Sequence, residues 1–273
     1  MFDPRLNAKG DVFRLVEHLD GLPFAAALYV VADLVGFVPS EPEWKRQSRE
    51  RAPDLSVPER WSARRKPWPG SATWRFLQNE RALPDTVLRA AVAQDVLREG
   101  PQGSMWAIHR DPSGAVTGWE ERGPDWRGFA TGGAKVLFRL GPADGPRLCV
   151  AEAAIDAMSL AALEEQRPDT LYLSTGGGWS PASSEALLDL AVRADAVLVA
   201  ATDNNTQGET FAERLEALAA DAGSGFVRLR PELEDWNEDL KARRRRKDGR
   251  EEEKVESSSK RKYSKTSTNY YKH

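Results

Sequence analysis

Residues 147–160 read RLCVAEAAIDAMSL, and residues 196–211 read AVLVAATDNNTQGETF. In both stretches a short apolar run, typical of a buried strand, passes directly into a helical pattern, and a carboxylate stands at the junction. These carboxylates are Glu152 and Asp203. Because ligands of open α/β sheets bind beyond the carboxyl ends of the strands, both side chains are expected in that crevice. Mg²⁺ is usually held by one or two carboxylates together with waters and substrate phosphates, so the two stretches predict a divalent-metal site.

Apolar runs of strand length alternate with helical patterns throughout residues 146–241. Strands are predicted near 147–151, 170–174, 196–201 and 225–229, and helices at 153–165, 182–193 and 208–222. Apolar strands separated by amphipathic helices are typical of a mostly parallel sheet that is covered on both faces. The expected fold class is therefore α/β, with a mostly parallel sheet flanked by helices.

Four motifs of this region, in this order, resemble those of the Toprim domain, the metal-binding unit of bacterial primases and topoisomerases. They read VAEAAIDAMSLAAL at 150–163, STGGG at 174–178, ATDNNTQGETFAERL at 201–215 and EDWNEDL at 234–240. The resemblance implies that Glu152 is a metal ligand as well as the general acid or base. It also implies that Asp203 and Asp235 belong to the shell of a Mg²⁺ or Mn²⁺ ion.

One position departs from the Toprim pattern, because Asn205 stands where the family has the second Asp of its Asp-x-Asp motif. An amide oxygen can bind a metal but carries no charge, so the ion would be held more weakly. Two hypotheses follow. In the first, the chain is a Mg²⁺-dependent primase-type nucleotidyltransferase with Glu152 and Asp203 as catalytic residues and Asn205 in the metal shell. In the second, it is a catalytically degenerate module that binds nucleic acid or a replication or relaxase partner.

Four further positions accompany the acidic residues of these motifs. Asp156 lies one helical turn after Glu152, where it orients a water on the metal or caps the helix, and capping is favoured. Gly176 and Gly177 either leave backbone amides for a phosphate or form an ordinary turn. Gly208 matches the glycine of the third motif.

Residues 71–145 are predicted to form a small α+β domain. Helical patterns precede two strand-like runs, SMWAIHRD and AVTGWEERG, which a Pro-Ser-Gly turn joins as a hairpin. The stretch WEERGPDWRGFATGGAK at 119–135 resembles a pattern in the domain that precedes Toprim in primase-like proteins of plasmids and other mobile elements. Arg122 and Lys135 would supply positive charge to a phosphate beside its two glycines. The alternative is a glycine turn between two strands.

The segment 40–70 is rich in proline, basic residues and tryptophan, and its proline spacing excludes a long helix, so it is predicted to be a linker. Arg64, Arg65 and Lys66 lie among tryptophans, an arrangement that suits base stacking and phosphate neutralisation. The alternative is that the tryptophans pin the linker to its flanking domains. These tryptophans are Trp44, Trp61, Trp68 and Trp74.

Residues 1–39 are predicted to contain two helices, one opening after Asp11 and one over residues 24–35. The pattern GDVFRLVEHLDGLPFAAAL at 10–28 resembles the carboxyl-terminal half of the zinc-binding domain that precedes the catalytic core of primases. No cysteine precedes it and His18 is a lone candidate ligand, so no zinc is expected. The segment is therefore a helical remnant of that module, or the chain starts late within it.

Charge is distributed unevenly along the chain. Residues 242–273 hold twelve Lys or Arg and five Asp or Glu, a balance of +7, which leaves −10 on residues 1–241. This tail is polar and nearly free of aliphatic residues, so it is predicted to be disordered. It is a phosphate-binding arm or a solvated extension, and the sequence leaves both open.

The remaining features of the sequence predict the cellular location and the partners of the protein. The sequence has no apolar run of eighteen residues and no secretion signal, which predicts a cytoplasmic protein without a membrane partner. Its single cysteine, Cys149, excludes an intramolecular disulfide and a Cys-rich zinc cluster. Expected partners are single-stranded DNA or nucleotides, with a helicase or relaxase, in plasmid or mobile-element DNA replication or mobilisation.

Overall fold

The computed structural model describes residues 2–3, 8–9, 12–34 and 55–249, which fall into two units divided after Asp54. None of the described helices is long and apolar enough to cross a membrane. Predictions that concern residues 35–54 and 250–273, including Trp44 and most of the tail, lie outside the described residues.

The first unit contains a two-stranded ribbon and a helical hairpin. Its elements are β1 (Phe2–Asp3), β2 (Ala8–Lys9), α1 (Val12–Asp20) and α2 (Phe24–Leu34). Both helices lie where the apolar spacing predicts them, and they pack through Val16, Ala27 and Val31. That this unit is a remnant of a zinc-binding domain stays a prediction.

The second unit begins with a small α+β part whose four strands form an antiparallel sheet in the order β3-β4-β5-β6. Its elements are α3 (Val57–Ser62), α4 (Ala72–Arg75), a π-helical turn (Phe76–Glu80), α5 (Asp85–Ala93), β3 (Leu97–Glu99), a 3₁₀ turn (Pro101–Gly103), β4 (Met105–Arg110), β5 (Val116–Arg122) and β6 (Arg127–Phe129). The hairpin of β4 and β5 is the one that the Pro-Ser-Gly turn predicts.

The larger sheet has the order β11-β10-β8-β9-β7, in which β7 alone runs antiparallel to its neighbour. Its elements are β7 (Phe138–Leu140), β8 (Arg147–Ala151), α6 (Ala154–Leu163), β9 (Thr170–Ser174), α7 (Pro181–Ala191), β10 (Val197–Ala200), α8 (Thr206–Ala222) and β11 (Gly225–Arg228), followed by α9 at 236–249. The α/β class with a mostly parallel sheet is confirmed.

The two faces of the larger sheet contribute to different cores because successive side chains of a strand alternate. Leu148 and Val150 join the core beneath α7 and α8. Cys149 and Ala151 join a second core that also contains the apolar residues of α6 and of the small sheet. Burial raises the pKa of the Cys149 thiol to about 12, so this cysteine is an unreactive core residue. The small sheet and the larger sheet therefore share this second core.

The end of the predicted linker belongs to the folded part. Ser56 caps α3 through a reciprocal bond with Glu59, and Trp61 on this helix is 2% exposed. Trp74 is equally buried, whereas Trp68 is 43% exposed. Trp61 and Trp74 therefore anchor the segment to the core, and base stacking by these two residues is excluded.

The carboxyl-terminal boundary also differs from the prediction. Helix α9 continues through residue 249, so residues 242–249 are helical where disorder was expected. Two arginines hold this helix against the body: Arg243 donates to the carbonyl of Leu163 and Arg244 to that of Gln78, at 2.9 and 2.6 Å. Composition alone does not predict these contacts, because they join residues far apart in sequence.

A layer of tryptophans joins α3 to the small sheet. Trp106 and Trp119 stack with ring centroids 4.0 Å apart, and Trp61 lies 6.2 Å from Trp119. The guanidinium groups of Arg98 and Arg64 lie over Trp61 and Trp106. This layer makes α3 part of the fold of the small domain.

The exchange Trp61→Ala should lower the free energy of unfolding by about 3–5 kcal/mol, because it leaves a large cavity between α3 and β5. Chemical denaturation measures the change. Trp68→Ala is the matched control, since that indole is half-exposed, and should stay within about 0.5 kcal/mol of the unchanged protein. Equal losses for the two exchanges would contradict the assignment of Trp61 to the core.

Candidate metal centre

Glu152 and Asp203 meet at the carboxyl ends of β8 and β10. The two strands are parallel neighbours, with Val150 opposite Ala200, so the loops that follow them leave the sheet side by side. The backbone N–H of Asp203 donates to Oε1 of Glu152 at 3.3 Å. The structure thus brings together the two carboxylates that follow the apolar strands in the sequence.

The surroundings disfavour the charged forms of both acids. Burial raises the pKa of Asp203 to about 7, and the charges of Glu152 and Asp235 add to the shift. Burial raises the pKa of Glu152 as well. Oδ1 of Asp203 is enclosed and has no hydrogen-bond partner. A nearby positive charge would relieve these costs.

A hard divalent cation fits this donor pair. The unsatisfied oxygen of Asp203 and the adjacent carboxylate of Glu152 are the oxygen ligands that Mg²⁺ prefers. Within residues 12–34 and 55–249, no group of three or more His, Cys, Asp or Glu side chains is arranged to hold a metal by itself. If Glu152 and Asp203 hold the ion, they would leave coordination positions for waters and phosphate oxygens.

Asp156 is buried at the start of α6 and does not cap that helix. Its Oδ1 accepts a hydrogen bond from the backbone N–H of Asn237, at 3.3 Å. Burial, together with the charges of Asp235 and Asp203, raises its pKa well above the ordinary value. The favoured capping role is thus wrong, and Asp156 instead adds a third acid to the same neighbourhood.

Asn205 and Gly208 form the start of α8. Oδ1 of Asn205 accepts from the N–H of Gly208 at 2.9 Å, which makes Asn205 the N-cap of the helix. A Cβ on Gly208 would lie 2.0 Å from the carbonyl oxygen of Asp203, so only glycine permits this approach. The bond to Gly208 competes with metal binding by Asn205, which stays a prediction.

Asp235 is likewise a helix cap. Its Oδ1 accepts from the N–H of Glu238 at 2.7 Å, at the start of α9. Its charge still raises the pKa of both Asp203 and Asp156, so it lies close to the acidic pair. Its part in a metal shell stays a prediction.

Arg228, at the end of β11, holds the loop that carries Asp203. Its guanidinium donates to the carbonyls of Thr202 and Asp203, both at 3.0 Å, and forms an ion pair with Glu209 at 2.7 Å. The positive charge lowers the pKa of Glu152 and of Asp203 and so offsets part of the burial cost. Sequence analysis missed this residue, whose only signal was an arginine closing the apolar run GFVR.

In the glycine turn after β9, the backbone amides already donate hydrogen bonds within the protein. Gly176 and Gly177 have positive φ angles of 69° and 68°, which favour glycine. The N–H of Gly176 donates to Oγ of Ser174, and that of Gly177 donates to the carbonyl of Glu152. Lys135 donates to the carbonyl of Gly176 at 2.6 Å. Phosphate binding by Gly176, Gly177 and Lys135 stays a prediction, and these contacts compete with it.

Arg122 lies near two other arginines and near Asp156 of the acidic group. Arg122 of β5 lies directly opposite Arg127 of β6, and both its neighbours Arg81 and Asp156 influence its pKa. In the described part of the chain, the guanidinium groups of Arg122 and Arg127 have no hydrogen bond or ion pair with protein. Nε of Arg81 is buried without a partner. Sequence analysis named Arg122 but missed Arg81 and Arg127, which the fold brings to it.

The predicted basic cluster of the linker has partners within the small domain. Arg65 pairs with Glu99 at 2.8 Å, and Lys66 pairs with Asp95 at 3.0 Å. Arg64 lies over the ring of Trp106. All three side chains remain exposed, so nucleic-acid binding by them stays a prediction.

Two protein families match separate parts of this chain. Residues 149–240 match the family described as Toprim-like. Residues 75–145 match a family described as a protein of unknown function (DUF3991). No curated protein matches the sequence significantly.

Solved structures that match this chain include several primases. The Aquifex aeolicus primase, with its zinc-binding and RNA polymerase domains, is 14% identical, with 85% of this chain and 67% of that chain covered, at a TM-score of 0.43. The primase fragment of the bacteriophage T7 primase-helicase protein is 18% identical, with 52% and 59% covered, at 0.34. The RNA polymerase domain of the Mycobacterium tuberculosis primase DnaG is 14% identical, with 63% and 74% covered, at 0.39.

The exchange Asp203→Asn should stabilise the metal-free protein at alkaline pH and not at acid pH. The pKa of Asp203 is raised on folding from 3.8 to about 7, so the folded state retains a proton that the unfolded state releases. Stability therefore falls as pH rises through this window, and the asparagine variant avoids the loss.

Thermal unfolding in the presence of a chelator tests this expectation. The variant should melt several degrees above the unchanged protein at pH 8 and at about the same temperature at pH 3.5. Asp144→Asn, at an exposed position between β7 and β8, controls for the loss of a carboxylate. A difference in melting temperature that is the same at every pH would contradict the raised pKa.

Proposed function

We propose, from the membership of residues 149–240 in the Toprim-like family, that this chain is a divalent-metal-dependent protein of the primase type. It would act on nucleic acid by nucleotidyl or phosphodiester transfer. The observation that carries the proposal is the group of buried acids around the contact of Glu152 with Asp203, together with the opposed Arg122 and Arg127, whose guanidinium groups have no hydrogen bond or ion pair with the described residues. Such a crevice suits a ligand that combines a cation with phosphates.

The carboxylates of Glu152 and Asp203 would hold the ion, which is Mg²⁺ or Mn²⁺ in this proposal. When bound, the ion would neutralise charge that develops on phosphate oxygens. Glu152, whose pKa burial raises, is better suited to accept or return a proton than a solvent-exposed carboxylate. Arg228 keeps the loop of Asp203 in place through its two carbonyl contacts.

The arginines would bind the phosphates. Arg122 and Arg127 are a directly opposed cross-strand pair, and like charges in such a pair destabilise a sheet. Burial and the charge of Arg81 lower the pKa of Arg122. An anion between these groups would remove the repulsion, and guanidinium groups match the geometry of phosphate. The pair therefore favours a polyphosphate or a nucleic-acid backbone.

The wider setting is part of the same proposal. Single-stranded DNA or nucleotides would be the ligands, a helicase or relaxase the partner, and plasmid or mobile-element replication the process, in the cytoplasm. Arg64, Arg65 and Lys66 would contribute a second, exposed basic surface.

A second function is favoured by Asn205. Its oxygen caps α8 and its side chain adds no charge to the acidic group. A chain with this residue could bind nucleic acid or a replication partner without turnover.

A calorimetric titration with Mn²⁺ tests the metal site. Glu152→Ala and Asp203→Ala should each weaken binding at least tenfold, because each removes half of the carboxylate pair. Asn205→Asp should tighten binding severalfold, since aspartate caps a helix as well as asparagine does and adds only charge. Unchanged affinity in Asn205→Asp would mean that position 205 does not face the metal.

Synthesis of short primers on single-stranded DNA then separates the two functions. Product that requires metal and disappears in Glu152→Ala and in Arg122→Ala would establish the enzyme. Metal and DNA binding without product would favour the non-catalytic module, and the absence of metal binding in the unchanged protein would refute the proposed site.

A further inference from the structure

Glu120 of β5 is a buried carboxylate that reaches from the small sheet to the larger one. Its Oε1 lies 3.0 Å from Nε2 of His109 and accepts from the hydroxyl of Ser174 at 2.6 Å. Its Oε2 accepts from the backbone N–H of Ala154 at 2.9 Å. Both oxygens are therefore satisfied by groups from different elements, which a buried charge requires.

His109 fixes the other side of this carboxylate. The ring is fully buried, and its Nδ1 accepts from the backbone N–H of Val136 at 3.2 Å. The proton of the ring therefore lies on Nε2, which donates to Glu120. The ring also packs edge-on against Phe129 and beneath the glycine turn, since a Cβ on Gly176 would lie 3.0 Å from it.

The helix that Glu120 contacts lacks a cap of its own. The N-cap position of α6 is Ala153, which has no side-chain acceptor. A serine or aspartate there would cap the helix locally, without burying a charge from another sheet. Glu120 supplies the missing acceptor at the positive end of the helix dipole.

The same carboxylate is connected to the backbone of Glu152. The hydroxyl of Ser174, which donates to Glu120, also lies 3.2 Å from the carbonyl oxygen of Glu152. That carbonyl accepts from the N–H of Gly177 at 2.7 Å. Glu152 is thus held on one side by the turn that packs on His109 and on the other by the capped start of α6.

We propose that Glu120 is a positioning residue that sets the place of Glu152 by capping α6 from the small sheet. His109 and Ser174 hold Glu120 in the conformation that reaches Ala154. The serine donates to the carboxylate and not to the imidazole, so the three side chains are not arranged to activate a nucleophile. The consequence for metal binding rests on the proposed function, whereas the capping itself does not.

The substitution Glu120→Gln tests this positioning role. The amide keeps the shape of the side chain but places its N–H groups against the donors His109, Ser174 and Ala154. Hydrogen exchange followed by mass spectrometry should show faster exchange of peptides covering 152–156 and 174–178, with other strands of the larger sheet unchanged. Mn²⁺ affinity should fall about tenfold by calorimetry.

Glu164→Gln is the matched control. Glu164 lies at the opposite end of α6 and binds Arg147 and Tyr172 through bonds of 2.7 and 2.9 Å. It should lower the melting temperature but leave the exchange of 152–156 and the Mn²⁺ affinity as in the unchanged protein. If Glu120→Gln does not fold, Ser174→Ala removes only the hydroxyl between Glu120 and Glu152, and should give the same local pattern at smaller amplitude.

An unchanged rate of hydrogen exchange at residues 152–156, in the variants that fold, would overturn the proposal. Faster exchange with unchanged Mn²⁺ affinity would also overturn it, because Glu152 would then be independent of the cap. If the unchanged protein binds no Mn²⁺, the proposed function fails, and the exchange at 152–156 alone decides whether Glu120 sets the loop of Glu152.

Discussion

The parallel pairing of β8 with β10 is the interaction on which the candidate metal centre depends. It places Val150 opposite Ala200, and the two loops that follow are forced to leave the sheet as neighbours. As a result the backbone N–H of Asp203 donates to the carboxylate of Glu152, which is fifty-one residues away in sequence. The cap of α8 and the bonds of Arg228 then hold the loop that carries Asp203.

Holding these two acids close together costs electrostatic free energy, and the protein offsets only part of that cost. Arg228 provides one fixed positive charge, but its bonds go mainly to carbonyls, so it holds the loop more than it neutralises the acids. Asp235 adds further negative charge to the same region, and Asp156 adds a buried acid whose pKa is raised well above its ordinary value. Arg122, which the charge of Asp156 also influences, repels Arg127 on the opposite strand. Buried acids of raised pKa beside arginines that repel one another are the reverse of what stability alone favours, and such perturbed groups are typical of functional sites.

The strand ends were predictable because both the apolar runs and the carboxylates that follow them are local in sequence. Helix capping was not predicted for Asn205 and Asp235, although an Asn or Asp three residues before the bonded amide is a recognisable signal. The family motif drew attention to their possible metal contacts instead. Trp61 was hard to place, since proline-rich segments are read as linkers and its partners Trp106 and Trp119 are distant in sequence. Arg81 and Glu120 gave no signal because their roles exist only after the two sheets meet, and Arg228 gave only that of an arginine that closes an apolar run.

The shared core has a consequence for how this chain can be divided or recombined. Family boundaries separate residues 75–145 from residues 149–240, yet the apolar cluster beneath α6 runs from Trp61 to Leu240 across that boundary. A cut between β7 and β8 would separate the small sheet from this cluster and expose to water the apolar residues that it covers. Residues 55–249 therefore form one folded unit. Swapping either half between related chains would have to preserve the packing between the two sheets.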